Sequence, residues 1–436
     1  MNNMTQSSDL KSFSIVIPAY NEEEAIGDTI GRCLAAVETI KARTPIRHVE
    51  IIVVSDGSSD RTAEIARSYR GIQVLAYTKN RGYGAAIKLG FSKGCGDLLG
   101  FLDADGTCDP EWFVELINVA VAEQADVVLG SRLHKDSKMP WLRWAGNRMY
   151  SILVSHLGTH KITDTASGMR VLRSDALPKL YPLPDGLHFT PAMSCRAILQ
   201  DGITLLEVPI PYHERLGRSK LKVLRDGIRF LHSILEIALT YRPLKFFGWA
   251  ASVLFLLGFI YSLGPVHTYI LRGVIPIHFI YRLIAVNAAC LAGLILLTIG
   301  VVAERVAEVL NRSSHKRSLM ERFLLRVCST KAMLVAGIFP ILAGVILNGG
   351  AVVEYLSTGH ITYHWSYISV GSFLVLTGMQ LEAMGMFELL LTRILQRNGH
   401  RHAKGCAVDG VSSTPPGDPT SREGMHESEH HPPILQ

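Results

Sequence analysis

The sequence predicts an α/β domain built on a mostly parallel sheet, followed by an α-helical membrane domain of four spans. Three observations predict it. In the first half, short apolar runs of strand length alternate with segments of helical period, the pattern of a parallel sheet with crossover helices. In the second half, four apolar stretches are each about long enough to cross a hydrocarbon core roughly 30 Å thick. Finally, 48% of the 436 residues are hydrophobic and the mean hydropathy is +0.22, more apolar than a soluble chain of this size requires.

The net charge of +6 comes without a dense Lys/Arg tract or aromatic-basic interleaving, which argues against a nucleic-acid partner and for membrane-proximal charge. Seven scattered cysteines without C-x-x-C spacing point to a reducing compartment and to neither a disulfide framework nor a zinc site. The polar Met1 to Leu10 reads as no cleaved signal.

Phe13 to Pro18 reads as a buried strand, followed by Ala19-Tyr20-Asn21-Glu22 and a helix with apolar face Ile26, Ile30, Cys33, Leu34 and Val37. His48 to Val54 is the second strand, and Ser55 to Asp60 the loop that leads into a helix from Thr62 to Tyr69. Asp60 suits either helix capping or ligand contact, whereas Asp56 precedes the cap position and is expected to contact ligand. A third strand, Ile72 to Ala76, leads to Asn80 to Ala86, where Gly82 and Gly84 let the backbone come close to a phosphate or a neighbouring helix.

The strand Leu98 to Leu102 runs into Asp103-Ala104-Asp105-Gly106, and alternation puts the two carboxylates on one side of the backbone. Such a pair repels unless a cation sits between. Oxygen ligands alone suit Mg2+ or Mn2+, which bridge carboxylates to substrate phosphates. Ligands of parallel sheets bind beyond the strands' C-terminal ends, where Pro18 to Glu22, Asp56 to Asp60 and Asp103 to Asp105 all fall. Asp126 to Arg132 delivers Arg132 to the same edge, as a planar, permanently charged phosphate reader.

Met139 to His156 reads as a helix carrying Arg143, Asn147, Arg148 and Ser151, with Trp141 and Trp144 expected to pack on the domain in preference to a membrane interface. Thr204 to Pro209 is a late strand. After it come Arg215, Arg218 and Lys220 around Gly217, a basic loop suited to a diphosphate and a lipid phosphate. Leu221, Leu224, Ile228, Leu231 and Leu235 oppose Lys222, Arg225, Arg229 and His232 on an interfacial amphipathic helix.

The spans are Phe246 to Leu263, Leu283 to Val302, Met333 to Val353 and Ile368 to Leu391. Seven Lys/Arg lie between Arg305 and Lys331, and none between Glu354 and Tyr367. The positive-inside tendency therefore places both termini, the basic loop and the α/β domain in the cytoplasm. Gln380 and Glu382 in the last span are expected to bond between helices. The expected division is 1–220, 221–245, 246–395 and a disordered cytoplasmic tail, 396–436.

PAYNE at 18–22, SDGSSD at 55–60, NRGYGAA at 80–86 and DADGT at 103–107, in this order, resemble the family 2 inverting glycosyltransferases of the GT-A fold. Four motifs in register are far more specific than one. Within that family the chain is most similar to dolichol-phosphate and polyprenol-phosphate sugar transferases, and Asp164 to Arg170 matches their D-x-x-S-G-x-R motif.

The resemblance implies a UDP- or GDP-sugar bound against Pro18, Tyr20, Glu22, Asp56, Gly82 and Asp103, with Mg2+ or Mn2+ on Asp103 and Asp105. It implies a polyprenyl (dolichyl or undecaprenyl) phosphate acceptor, placed here against Arg132, Arg148, Ser151 and Ser167. Asp105, Arg132, Arg170, Arg215 and Lys220 are the expected catalytic set, with Gly168 letting Arg170 turn toward the site. Two alternatives remain open at this point: a polysaccharide or hydroxyl-lipid acceptor, and a non-catalytic nucleotide-sugar-binding scaffold. The sequence does not choose the sugar or the oligomeric state.

Overall fold

The computed structural model describes residues 10–133, 139–158, 160–213, 215, 223–311 and 319–408. The α/β region runs β1 (Ser12–Ala19), α1 (Ile26–Arg43), β2 (His48–Asp56), α2 (Thr62–Ser68), β3 (Gln73–Tyr77), α3 (Tyr83–Lys93) and β4 (Leu98–Leu102). It continues with α4 (Phe113–Ala122), β5 (Val127–Ser131), α5 (Trp141–Leu157), β6 (Met169–Arg173), α6 (Leu177–Leu180), α7 (Phe189–Leu199) and β7 (Leu205–Pro209).

The seven strands form one sheet in the order β3-β2-β1-β4-β6-β5-β7, the mostly parallel GT-A sheet expected. Only β6 runs antiparallel to its neighbours β4 and β5. The sequence reading assigned no strand to Met169–Arg173, because an arginine interrupts its apolar run. That strand direction has a consequence for the site: Leu102, the last residue of β4, pairs with Met169, the first of β6, so the 164–168 turn emerges beside the acidic pair.

Strand alternation divides the core between the two faces of the sheet. Val16, Ile52, Phe101 and Leu129 face α3, α5 and α7 through Ala86, Val154 and Phe189. Ile15, Ile17, Val53 and Val171 face α1 and α4 through Ile26, Ile30, Phe113 and Ile117. β4 is buried along its whole length, and the ring of Phe13 meets that of Phe113 edge-on with centroids 5.1 Å apart. Burial of this kind contributes about 1.5–3 kcal/mol per large side chain.

α8 (Val223–Tyr241) packs against α5 and α7 of the α/β region and leads into α9 (Pro243–Arg272). α10 (Ile280–Asn311), α11 (Leu319–Val327), α12 (Thr330–Thr358) and α13 (Trp365–Val408) complete the chain. Among the described residues, α9, α10, α12 and α13 are the four helices long and apolar enough to cross a membrane, as expected, while α11 is a helix where the sequence suggested only a basic loop. α12 and α13 approach closely at glycines. A Cβ on Gly337 would lie 2.9 Å from the Glu382 Cγ, so Glu382 faces the neighbouring helix, but its buried Oε1 has no hydrogen-bond partner among the described residues and the expected interhelical bond is not made there. By packing, the chain forms one unit through Met386 and a second from Phe387, whose described part is the remainder of α13, helical to Val408.

Candidate active site

The two carboxylates leave β4 into a cavity of about 540 Å3 at the C-terminal edge of the sheet. Asp103 is fixed on three sides. Its N–H donates to the Gly168 carbonyl at 3.1 Å, its Oδ1 accepts from the Tyr83 hydroxyl at 2.6 Å, and its Oδ2 lies against the Gly168 Cα. A Cβ at Gly168 would sit 1.8 Å from that oxygen, so this glycine provides close approach. It does not lie in the left-handed region and does not turn Arg170 into the site, as had been expected.

Asp105 accepts from the Thr107 N–H at 3.1 Å and from its hydroxyl at 2.7 Å through Oδ1, and from Arg215 Nη1 at 3.0 Å through Oδ2. The other nitrogen of that fork, Nη2, donates to Glu22. Desolvation, and then the charge of Asp105, push the Asp103 carboxyl up to about 7, and the same desolvation raises the Tyr83 phenol well above its ordinary range.

A buried carboxyl raised by its own desolvation and by the neighbouring carboxylate suits a hard divalent cation. Among the described residues no group of three or more His, Cys, Asp or Glu converges.

Pro18, Tyr20 and Glu22 line the cavity from the end of β1. Their loop is locked to the neighbouring one: the Ser59 N–H donates to Asn21 Oδ1 at 2.8 Å, and the Glu22 N–H to Thr62 Oγ1 at 2.8 Å. Asp56 also lines the cavity, and its two oxygens accept the N–H groups of Arg81 and Gly82, each at 2.8 Å. Gly82 holds a φ of +111°, and a Cβ there would lie 2.4 Å from the Asp185 carbonyl oxygen, so the turn that presents Tyr83 requires glycine. Asp60 resolves as a cap, accepting from Thr62 N–H at 3.0 Å and Glu23 N–H at 3.2 Å.

Arg132 reaches the cavity wall as expected, but as half of an ion pair. Its Nε and Nη2 donate to Asp164 at 2.8 and 3.1 Å, and Nη2 also to the Ala166 carbonyl at 2.7 Å. Asn147 adds a 2.6 Å bond to Asp164. Burial raises the Asp164 carboxyl and Arg132 more than offsets it, leaving it below the usual range.

The partner of Asp164 is therefore Arg132. Arg170 is fully buried beneath the site, donating to the Ser167 and Thr165 carbonyls at 3.1 and 2.9 Å. Ser151 and Ser167 are likewise buried on backbone carbonyls, Thr163 and Gly130 respectively, and neither lines the cavity. Arg148 is exposed. The cavity-lining arginine of α5 is Arg143, on the face that carries Asn147 and Tyr150 at helical spacing. Lys220 lies outside the described residues.

Tyr83, Arg143 and Arg229 line the cavity and were not among the expected site residues. Tyr83 stood inside the NRGYGAA motif, and Arg143 shares a phase with Asn147, so both carried a readable signal. α5 and α8 also bring the apolar Leu142 and Phe230 to the lining, beside Arg143 and Arg229. Just outside it, Trp141 is 77% and Trp144 44% exposed, so these rings do not pack on the domain as expected but project from it.

Residues 14–181 match the family described as glycosyl transferase family 2. The undecaprenyl-phosphate 4-deoxy-4-formamido-L-arabinose transferase of Sodalis glossinidius is 31% identical over 266 residues, covering 60% of this chain and 77% of that protein. The dolichyl-phosphate hexose transferase of Haloferax volcanii is 34% identical over 238 residues, covering 52% of this chain and 95% of that protein. Among solved structures, glucosyl-3-phosphoglycerate synthase from Mycobacterium tuberculosis in complex with Mn2+, UDP and phosphoglyceric acid aligns with a TM-score of 0.43 at 19% identity, over 52% of this chain and 78% of that one. A family match through the sheet edge that carries Asp103 and Asp105, and relatives aligned over most of their own length, establish that the chain belongs to glycosyl transferase family 2.

Proposed function

We propose that the protein transfers a sugar from a UDP- or GDP-sugar to a polyprenyl phosphate, with inversion, at the cytoplasmic face of the membrane. One observation carries the reading: a single cavity is lined both by Asp103 and Asp105 and by the apolar Leu142 and Phe230 of α5 and α8, with the exposed Trp141 and Trp144 near Leu142 in the chain. An acid pair serves a sugar nucleotide, and an apolar mouth with amphipathic tryptophans serves a lipid at an interface. The relatives named for transfer to undecaprenyl and dolichyl phosphates support the acceptor class.

In this reading Pro18, Tyr20, Glu22, Asp56 and Gly82 hold the nucleotide, and Asp103 and Asp105 hold a divalent ion. When bound, the ion supplies neutralisation of the diphosphate as it leaves. The acceptor phosphate oxygen forms the new bond to the anomeric carbon from the face opposite the breaking C–O bond, whose electron pair departs with the nucleoside diphosphate. A phosphate monoester with a second pKa near 6 is already anionic at neutral pH, so no strong general base is needed.

The protein's task is to bring two anions together. Arg132, Arg143, Arg215 and Arg229 surround the cavity and are assigned that task, with Lys220 of the adjoining basic segment. Arg170 and Ser167 act as positioning residues beneath the 164–168 turn. The functional division proposed is a catalytic region to residue 220, an interfacial helix to 245 and the membrane region beyond.

The test incubates the purified full-length protein, Mg2+ or Mn2+ and polyprenyl phosphate with a panel of radiolabelled nucleotide sugars, following label into the organic phase. One donor is expected to give a metal-dependent lipid product that Asp105→Asn abolishes. No transfer from any donor, with nucleotide binding intact, would favour a binding scaffold.

A further inference from the structure

Between the end of α10 and α11 lies a second cavity, of about 280 Å3, lined by Arg305, Glu308, Arg322, Leu325 and Arg326. Three arginines and one carboxylate thus share its lining. Arg305 is pinned by its Nη2, which donates to the Leu325 carbonyl at 2.7 Å and the Cys328 carbonyl at 3.2 Å. Arg322 and Arg326 are one turn apart on α11 and so share a face.

Two nearby acids have partners on α9. Glu304 is buried and accepts from the Leu244 N–H at 3.1 Å, and Glu321 is buried 3.9 Å from Lys245. A positive-inside bias accounts for basic residues in this loop, but not for their convergence on a common cavity.

α11 has a third face. Leu319, Met320, Phe323 and Val327 are 78, 65, 60 and 52% exposed, while Glu321 and Leu325 are buried against the body. A nine-residue helix with one buried, one basic and one exposed apolar face suits the boundary between headgroups and acyl chains. The bond between Leu244, at the start of α9, and Glu304, near the end of α10, puts this cavity on the same side of the helices as the α/β region.

We infer that the Arg305, Arg322 and Arg326 cavity binds the phosphate of a membrane lipid whose chains lie along Leu319, Phe323 and Val327. The planar guanidinium fork matches phosphate oxygens, and basic pockets on the cytoplasmic side of membrane helices hold anionic headgroups. Such a lipid would fix α11 to the leaflet from which α9 and α8 depart. The site uses none of the residues of the catalytic cavity and stands whether or not the sugar-transfer reading does.

The test is native mass spectrometry of the full-length protein released from nanodiscs. The nanodiscs contain phosphatidylglycerol, polyprenyl phosphate or phosphatidylcholine, and the variants are Arg322→Ser/Arg326→Ser and Asp105→Asn. The expected result is retention of a phosphate-bearing anionic lipid over phosphatidylcholine by about tenfold. The double variant should lose it and Asp105→Asn should keep it. Because the catalytic cavity is itself assigned a polyprenyl phosphate, the anionic lipid whose bound stoichiometry falls in the double variant identifies the source of the phosphate.

Equal retention of phosphatidylcholine, or retention of both anionic lipids at undiminished stoichiometry by the double variant, would overturn the inference. So would displacement of the lipid by inorganic phosphate alone, which would make this a free-anion site. Circular dichroism confirms folding, and Arg326→Ser alone reads the same loss if the double variant does not fold.

Discussion

Arg215 Nη1 lies 3.0 Å from Asp105 Oδ2, and the other nitrogen of the same fork donates to Glu22. The guanidinium thus joins the residue expected to hold metal to the loop expected to hold nucleotide. A divalent ion at Asp105 competes with Arg215 for the negative charge of that carboxylate. Arg215→Gln is therefore predicted to leave Mn2+ affinity equal or higher while lowering kcat/KM by about 10²–10³, the usual cost of removing one group that stabilises developing charge. Mn2+ titration by electron paramagnetic resonance, beside initial rates, separates the two effects. Weaker Mn2+ binding would make Arg215 a support of the metal site instead.

Tyr83 holds Asp103 through a 2.6 Å bond from outside any metal shell. Removing such a partner typically costs 10–100-fold in metal affinity. Tyr83→Phe is predicted to weaken Mn2+ by about that factor with thermal stability close to wild type. An unchanged Mn2+ isotherm would reduce the bond to packing.

The contact between Gly168 and Asp103 gives a steric prediction. The added methyl of Gly168→Ala would sit 1.8 Å from a carboxylate oxygen with backbone on both sides. The variant is predicted to fold, as read by circular dichroism, and to lose metal-dependent transfer. Full activity would mean that the β4–β6 edge yields more than a packed sheet should.

Asp164 is buried with Arg132, and its carboxyl lies below the usual range. Asp164→Asn strands a nearly buried guanidinium and is predicted to cost about 3–5 kcal/mol. Because the folded-state pKa is depressed, the wild-type stabilisation is complete above the unfolded carboxylate value, about 3.9, and lost as pH falls through the folded one. The gap in thermal midpoint between wild type and variant should therefore be constant from neutral pH to about 5 and narrow only below about 4. A gap that closes near neutrality would contradict this pairing.

The residues that could be read from sequence were those whose signal is local. β1, β2 and β4 are short buried runs, Asp103 and Asp105 follow one of them directly, and the four apolar helices announce themselves by length. What stayed hidden depended on pairing across the chain. Arg132 and Asp164 are 32 residues apart and meet only because β6 returns antiparallel between β4 and β5. Arg170 looks like a site residue in its motif, yet strand alternation turns it under the sheet edge. Choosing Arg148 over Arg143 was an error of helical phase, which only the packing of α5 fixes. α11 was obscured by the charge that makes it amphipathic.

The most direct test of the central claim is a comparison of acceptors. Label transferred from the preferred nucleotide sugar to a polyprenyl phosphate is measured beside the same chain as a free polyprenol, with wild type and Asp105→Asn. The account predicts metal-dependent transfer to the phosphate alone, abolished in the variant, with the anomeric configuration inverted. Transfer to the free alcohol or to a glycan in preference to the phosphate, or transfer that survives Asp105→Asn, would contradict it.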